Sequence, residues 1–97
     1  MTRENRTAAG REKENSKLLV RGLDTHGKSF NEETTTNDIS ETGVSFFLRT
    51  PIWVDTLLSF TITGSQILGP THETRCKVVR VKLQTDGRQF VAVRFDE

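Results

Sequence analysis

The chain has 97 residues, a formal net charge of +1 and a single cysteine. This length suits one domain with a modest core, and so balanced a charge provides no global field to hold a nucleic acid duplex or an anionic membrane. One cysteine excludes an internal disulfide and a multi-cysteine metal site, and it favours a reducing cytoplasm. No apolar run approaches the roughly 18 residues of a spanning helix, so we expect no membrane insertion.

The first 16 residues form a segment without any large apolar side chain after Met1. They carry four cations, Arg6 and Arg11 among them, together with three glutamates. Such a segment cannot bury itself, so we predict a flexible, mixed-charge arm over residues 1–16. The apolar residues follow from residue 17 onward, so residues 17–97 are predicted to form the folded domain.

The rest of the chain has the pattern of short strands separated by turns. Gly27 and the pair Asp86-Gly87 are typical of hairpin turns, and Gly64, Gly69 and Pro70 indicate a loop. Alternating apolar and polar residues indicate strands with one buried face. The predicted strands cover residues 18–23, 30–39, 44–48, 58–63, 73–84 and 89–95. Six short strands at this spacing predict an all-β fold, a closed or nearly closed antiparallel barrel that hides its sheet edges.

The fifth predicted strand alternates in a way that assigns its faces. Val79, Val81 and Leu83 fall on one face, and Cys76, Val78 and Arg80 on the other. We interpret Cys76 as a buried, inert cysteine, because it lies within a predicted strand. Trp53 follows Pro51-Ile52 and is predicted to be a partly buried lid on the barrel, and the alternative is a residue that docks a partner or stacks on a ring.

The residues with catalytic or metal-binding chemistry are too scattered to form a catalytic site. His26 and His72 are isolated, and no cluster of Asp, Glu, His and Cys has the spacing of metal ligands. Ser40 lacks the G-x-S-x-G context of an activated nucleophile, and no base is placed beside it by sequence. We therefore expect no enzyme activity, no catalytic residue, no metal and no cofactor.

The most informative feature is the polar turn D-I-S-E-T-G between the second and third predicted strands. Asp38 can accept hydrogen bonds, Ser40 can donate and accept them, and Gly43 permits a close backbone approach or a positive φ. Taken alone, the pattern is more typical of an ordinary Asx- or Ser-stabilised turn. Its position next to a basic arm and within a barrel favours a binding site.

Together these features resemble the PilZ domain, the bacterial receptor module for the second messenger cyclic di-GMP. The resemblance extends over nearly the whole chain and includes Leu18-Leu19-Val20-Arg21-Gly22, the turn, and the closing strands. It implies a six-stranded antiparallel (split) β-barrel and a two-part ligand site, with R-x-x-x-R in the arm and [D/N]-x-S-x-x-G on the barrel. Asp38, Ser40 and Gly43 match the second part, and the resemblance implies that the Asp and Ser side chains bind the guanine edge.

The arginine half of the motif is degenerate, because no two arginines of the arm are four residues apart. Arg6 and Arg11 are the candidates for contacts with phosphate and guanine, since guanidinium groups match both chemically. A solvated, mixed-charge tail is the alternative for these arginines. If they bind, the arm would order over the barrel when cyclic di-GMP arrives, and the changed surface would be the output.

Two functions therefore remain open at the level of sequence. The first is a cytoplasmic cyclic di-GMP receptor or adaptor that signals to a downstream protein partner. The alternative is a degenerate PilZ-like protein-interaction module that does not bind cyclic di-GMP. DNA or RNA binding is not expected, because tyrosine is absent and most phenylalanines fall on predicted core faces, which leaves few rings for base stacking.

Overall fold

The computed structural model describes residues 15–65 and 68–95, which form six antiparallel strands. These are β1 (Lys17–Leu23), β2 (Ser29–Ile39), β3 (Gly43–Leu48), β4 (Leu57–Ser65), β5 (Gly69–Leu83) and β6 (Gln89–Phe95). They close into a barrel in the order β1-β2-β3-β6-β5-β4, with β4 paired back to β1. The predicted six-stranded antiparallel barrel is thereby confirmed. The predicted arm over residues 1–16 lies almost entirely outside the described residues.

The core follows from the alternation of apolar and polar residues. On β4, Leu58, Phe60 and Ile62 are at most 1% exposed, while Ser59 and Thr61 between them are only partly buried. Leucine, valine and phenylalanine side chains from the other strands meet them in one continuous cluster. Each such side chain contributes about 1.5–3 kcal/mol on full burial. On β4 the period-two pattern is therefore sufficient to fix which face is inside.

Two hairpin turns have the chemistry that their sequences predict. Gly27 and Gly87 both adopt positive φ, +77° and +90°, a region that glycine enters without steric cost. Asp24 Oδ1 accepts hydrogen bonds from the backbone N–H groups of His26 and Lys28. Asp86 Oδ1 accepts one from the backbone N–H of Arg88 in the same way.

The connection between β4 and β5 differs from the sequence prediction. Gly69 and Pro70 belong to β5 rather than to a loop, and Ser65 pairs with Gly69 and Thr63 with Thr71. Among the described residues this first part of β5 pairs only with β4, since the described pairing with β6 begins at Cys76. Proline has no N–H to donate and is tolerated on such an edge segment, which is why Pro70 does not end the strand.

The predicted alternation along β5 is wrong beyond Val78. The register with β6 shifts between Val78 and Arg80, and this bulge inserts Val79 as an extra residue. Cys76 and Val78 are buried as predicted, but Arg80 is exposed and Val81 packs against the core. An alternating sequence pattern cannot reveal such a bulge, because the pairing with the neighbouring strand determines where the extra residue is inserted.

The prediction for Trp53 is also wrong, since its side chain is 66% exposed. Its neighbour Ile52 is 2% exposed and closes this end of the core instead. The loop at residues 49–56 is fixed from several sides, with Ile52 N–H donating to Gln89 Oε1 at 3.1 Å. Glu32 accepts hydrogen bonds from Arg49 and Thr50 at the start of the loop.

Candidate functional site

The motif turn at residues 40–42 is closed by hydrogen bonds of Ser40. Its backbone N–H donates to the carbonyl of Gly43 at 2.9 Å. Its Oγ accepts from the backbone N–H of Thr42 at 3.2 Å and lies 3.1 Å from Thr42 Oγ1. Ser40 is only 5% exposed. In this structure its hydroxyl therefore shapes the turn, as expected of a Ser-stabilised turn.

Asp38 is held in place by Ser45, a residue that the sequence analysis did not single out. The Ser45 hydroxyl donates to Asp38 Oδ1 at 3.0 Å and accepts from the Asp38 backbone N–H at 3.3 Å. Asn37 Nδ2 also donates to Ser45 Oγ, at 3.4 Å. Ser45 is fully buried and lies between the core residues Val44 and Phe46. The alternation of β3 places Ser45 on the outer side of the sheet. This alternation is the sequence feature from which its contact with Asp38 could have been inferred.

Gly43 is required by a close approach of two backbones. A Cβ at this position would lie 2.2 Å from the carbonyl oxygen of Val93 on β6, which no side chain can tolerate. Gly43 is absent from the glycines with positive φ among the described residues. Of the two reasons predicted for this glycine, close approach is therefore the one that applies, and the neighbour is β6.

Two arginines of β5 and β6 lie next to the motif on the outer face. Cross-strand pairing places Arg94 opposite Gly43, and places Ser45 opposite Ala92, which is opposite Arg80. Neighbouring strands are about 4.8 Å apart, so Arg80 is two such steps from Ser45. Both arginines are exposed, and within the described residues neither forms an ion pair. Sequence spacing did not show which of the two arginines faces the site, and the bulge at Val79 reverses the face expected of Arg80.

The chain enters the barrel beside this site. Ser16 N–H donates to Thr36 Oγ1, and Thr36 N–H donates to the Ser16 carbonyl, both at 2.9 Å. Thr36 is two residues before Asp38, across the β-bulge of β2. The predicted ligand contacts Arg6 and Arg11 lie outside the described residues. Arg11 is five residues before Ser16, within about 17 Å of it along an extended chain.

Within the described residues, the structure has neither a metal-ligating cluster nor a membrane-spanning helix. Residues 15–65 and 68–95 contain no group of three or more His, Cys, Asp and Glu side chains that could hold a metal ion. That part of the chain also has no helix long and apolar enough to cross a membrane.

Comparisons with solved structures agree on the fold. The inhibitor of motility MotI/DgrA of Bacillus subtilis superposes with a TM-score of 0.73 at 16% identity, over 100% of this chain and 46% of that protein. MrkH of K. pneumonia in its apo state superposes with a TM-score of 0.62 at 17% identity, over 98% of this chain and 45% of MrkH. The chain thus spans about half the length of either protein. No curated protein sequence matches it.

The family assignment comes from the sequence itself. The profile of the PilZ domain matches residues 6–97, which include the turn, all six strands and both candidate arginines of the arm. PilZ domains are receptor and adaptor modules of cyclic di-GMP signalling. A closed six-stranded barrel that presents D-x-S-x-x-G between its second and third strands agrees with this match, and the chain belongs to the PilZ domain family.

Proposed function

We propose that this domain is a cyclic di-GMP receptor that binds the nucleotide at the turn formed by Asp38, Ser40 and Gly43. The observation that carries the proposal is the positioned carboxylate of Asp38, oriented by the buried Ser45 hydroxyl at 3.0 Å. A carboxylate is an acceptor for the N1–H and N2–H donors of a guanine edge. A preoriented acceptor lowers the entropy lost on binding.

The second support is the path of the arm. Ser16 is tied to Thr36 by two hydrogen bonds, so the preceding residues start next to Asp38. Arg6 and Arg11 are then within reach of a nucleotide on the turn, where guanidinium groups would bind its phosphates and the O6/N7 edge of guanine. Cyclic di-GMP has two phosphates, and the arm lacks the regular arginine spacing of the family. We include Arg94, opposite Gly43, as a further cation of the site.

The proposed output is a change of surface and not a chemical reaction. Binding would fix the arm against the outer face of β2, β3 and β6, and a downstream protein partner would recognise the new surface. The domain would act in the bacterial cytoplasm, without a cofactor and without enzymatic activity. The single cysteine, buried at Cys76, accords with a reducing compartment.

Titration calorimetry with cyclic di-GMP tests the proposal. We expect binding by the full chain, and a loss of at least about tenfold in affinity for Asp38→Ala, since truncating one partner of a charged hydrogen bond costs upwards of 1.5 kcal/mol. Glu41→Ala is the matched control, because Glu41 is an exposed carboxylate in the same turn outside the motif. It should bind as the wild type does.

The arginines are tested in the same way. Arg6→Ala, Arg11→Ala and Arg94→Ala should each weaken binding, and added salt should weaken the wild type, as expected for phosphate contacts. Arg49→Ala is the control, since Arg49 is exposed just beyond the end of β3 that lies away from the turn. If the wild-type chain releases no heat with cyclic di-GMP, the receptor proposal is wrong and the nucleotide-independent interaction module replaces it.

A further inference from the structure

Exposed apolar side chains are concentrated at the end of the barrel away from the motif turn. At this end β1, β3 and β5 finish, and β2, β4 and β6 begin. Along β3 this end is six residues, or about 20 Å, from the turn, and across the sheet Val79 is two strands from Val44 and Ser45. All of the exposed large hydrophobic residues found among those described lie at or near this end: Leu23, Trp53, Val54, Leu57, Val79 and Leu83.

Four of these residues are contiguous, and we call Trp53, Val54, Leu57 and Val79 the apolar patch. Asp55 N–H donates to the Val78 carbonyl at 2.8 Å, and Val78 N–H donates to the Thr56 carbonyl at 2.9 Å. These bonds hold the loop along β5, directly beside the bulged Val79. The four side chains are between 49% and 66% exposed, so their apolar surface faces solvent in one place.

The loop that carries the patch is rigid, which distinguishes it from an ordinary exposed loop. Glu32 accepts hydrogen bonds from the Arg49 and Thr50 backbone N–H groups and from the Thr50 hydroxyl, at 2.7–3.0 Å. Ile52 is buried beneath the loop and bonded to Gln89. Asp55 adopts a φ of +75°, the one positive φ of a described non-glycine residue. An exposed tryptophan on such a hydrogen-bonded loop is a typical anchor of a protein interface, because the loop backbone loses little entropy on binding.

The positively charged side chains around the apolar patch favour a partner that carries negative charge. Lys77, Arg80 and Lys82 are exposed on β5 on either side of Val79, and within the described residues Arg80 and Lys82 make no ion pair. Lys77 lies 3.7 Å from Asp55 in an exposed pair, which contributes little. A partner with carboxylates at its rim would complement these cations and associate faster. Nucleic acid is less suited, because three of the four patch residues are aliphatic and offer no ring for base stacking.

We propose that the apolar patch, together with Lys77, Arg80 and Lys82, docks an acidic protein segment that carries aliphatic or aromatic side chains. Lys77 and Arg80 lie two strands away from Gly43 and Ser45, whereas Trp53 and Val54 lie on the loop that follows the far end of β3. The apolar patch contains no residue of the motif, so docking on it does not depend on the proposed nucleotide binding. The domain then has two functional ends, with the turn at one and a preformed docking site at the other.

Selection of random 16-residue peptides displayed on phage against the full chain tests this proposal. The recovered peptides should be rich in Asp and Glu and contain aliphatic or aromatic residues. Fluorescence of Trp53, the one tryptophan of the chain, should shift to shorter wavelength when the synthetic peptides bind. Affinity should fall at least about tenfold in Trp53→Ala, as for a hot-spot residue, and also in the double variant Lys77→Ser/Lys82→Ser.

Asp38→Ala is the matched control, and it should bind these peptides as the wild type does. The proposal is overturned if no peptide is recovered, if the peptides are neutral or basic, or if they bind Trp53→Ala equally well. Two further results would assign the surface to another occupant, and they would equally overturn the proposal. One is a dimer in sedimentation at millimolar protein that Trp53→Ala abolishes, and the other is a preference for single-stranded oligonucleotides over acidic peptides.

Discussion

At the scale of single residues, Gly43 is the motif position where a side chain would clash most directly with the backbone. Its hypothetical Cβ meets a backbone oxygen at 2.2 Å, whereas that of Gly22 meets the tip of the Leu58 side chain at 2.5 Å. A side-chain tip can rotate away, but the Val93 carbonyl is held in the sheet. The packing of β3 against β6 therefore explains why the third motif residue, Gly43, is a glycine. The sequence alone did not decide between close approach and a positive φ.

Gly43→Ala should lower the free energy of unfolding by about 1–3 kcal/mol, the usual cost of overpacking, or more if β3 and β6 separate. Gly22→Ala should cost less, because Leu58 can adjust its rotamer. Urea denaturation of both variants measures the difference. Equal stability of Gly43→Ala and the wild type would show that the two strands are further apart than described here.

Ser45 is the residue through which the barrel orients Asp38. Ser45→Ala removes a buried hydroxyl that joins the Asp38 carboxylate, the Asp38 backbone and Asn37, and we expect it to cost about 1–3 kcal/mol of stability. Because Asp38 itself is retained, affinity for cyclic di-GMP should fall less than in Asp38→Ala. Ser29→Ala, at an exposed site, is the control for both measurements. A Ser45→Ala affinity equal to that of the wild type would remove the positioning role.

At the scale of elements, the loop between β3 and β4 depends on one side chain of β2. The Glu32 carboxylate accepts three hydrogen bonds from Arg49 and Thr50. These residues are 17 and 18 positions away in sequence, which explains why sequence analysis did not detect the anchor. The wrong prediction of a partly buried lid at Trp53 has the same reason, since the position of the loop depends on these distant contacts.

Glu32→Ala should destabilise the protein by about 1.5–3 kcal/mol, the range for hydrogen bonds to a charged group. It should also accelerate amide hydrogen exchange at Arg49, Thr50 and Ile52, because the loop loses its anchor. Glu33→Ala is the matched control, since Glu33 is the next residue and is exposed. Unchanged exchange in the loop of Glu32→Ala would contradict the described anchoring.

The hairpin turns make folding stability depend on acid pH. Hydrogen bonding from the backbone N–H of Lys28, and then of His26, lowers the pKa of Asp24 below its ordinary value of 3.8. The backbone N–H of Arg88 and then its guanidinium lower the pKa of Asp86 in the same way. A depressed pKa in the folded state stabilises the fold above pH 3.8, and this contribution is lost as the pH falls through the folded value.

Urea denaturation between neutral pH and strongly acid pH should therefore show falling stability at the acid end. The double variant Asp24→Asn/Asp86→Asn should be less stable than the wild type at neutral pH and should show a weaker dependence on acid pH. The opposite sign, with the wild type gaining more stability than the variant in acid, would rule out these turn carboxylates as the cause.

At the scale of the whole molecule, local patterns predicted the strands and turns, and contacts between distant strands decided the rest. The alternation of Leu58, Phe60 and Ile62 and the pair Asp86-Gly87 follow from steric and hydrophobic rules that act within a few residues. The bulge at Val79 depends instead on the register between strands. Half of the candidate site was predictable in the same way, because Asp38, Ser40 and Gly43 are close in sequence. Ser45 and Arg94 join it only once the barrel closes.

The two ends of the barrel differ in chemistry, and the proposed nucleotide site lies at only one of them. The motif turn is polar and lies where the chain enters the barrel, beside the hydrogen-bonded pair Ser16 and Thr36. The Trp53 end is apolar and rimmed by cations. Nucleotide binding at the turn should therefore leave the residues around Trp53 undisturbed.

The most direct test is a titration of the isotope-labelled full chain with cyclic di-GMP, followed by amide NMR spectra. Shifts should concentrate at residues 36–45 and 92–95 and on the arm around Arg6 and Arg11, while Trp53, Val54 and Leu57 stay unchanged. The same titration of Asp38→Ala should show these shifts only at much higher nucleotide concentration. Spectra that do not change with cyclic di-GMP, or that change only around Trp53, would contradict a nucleotide site at the motif turn.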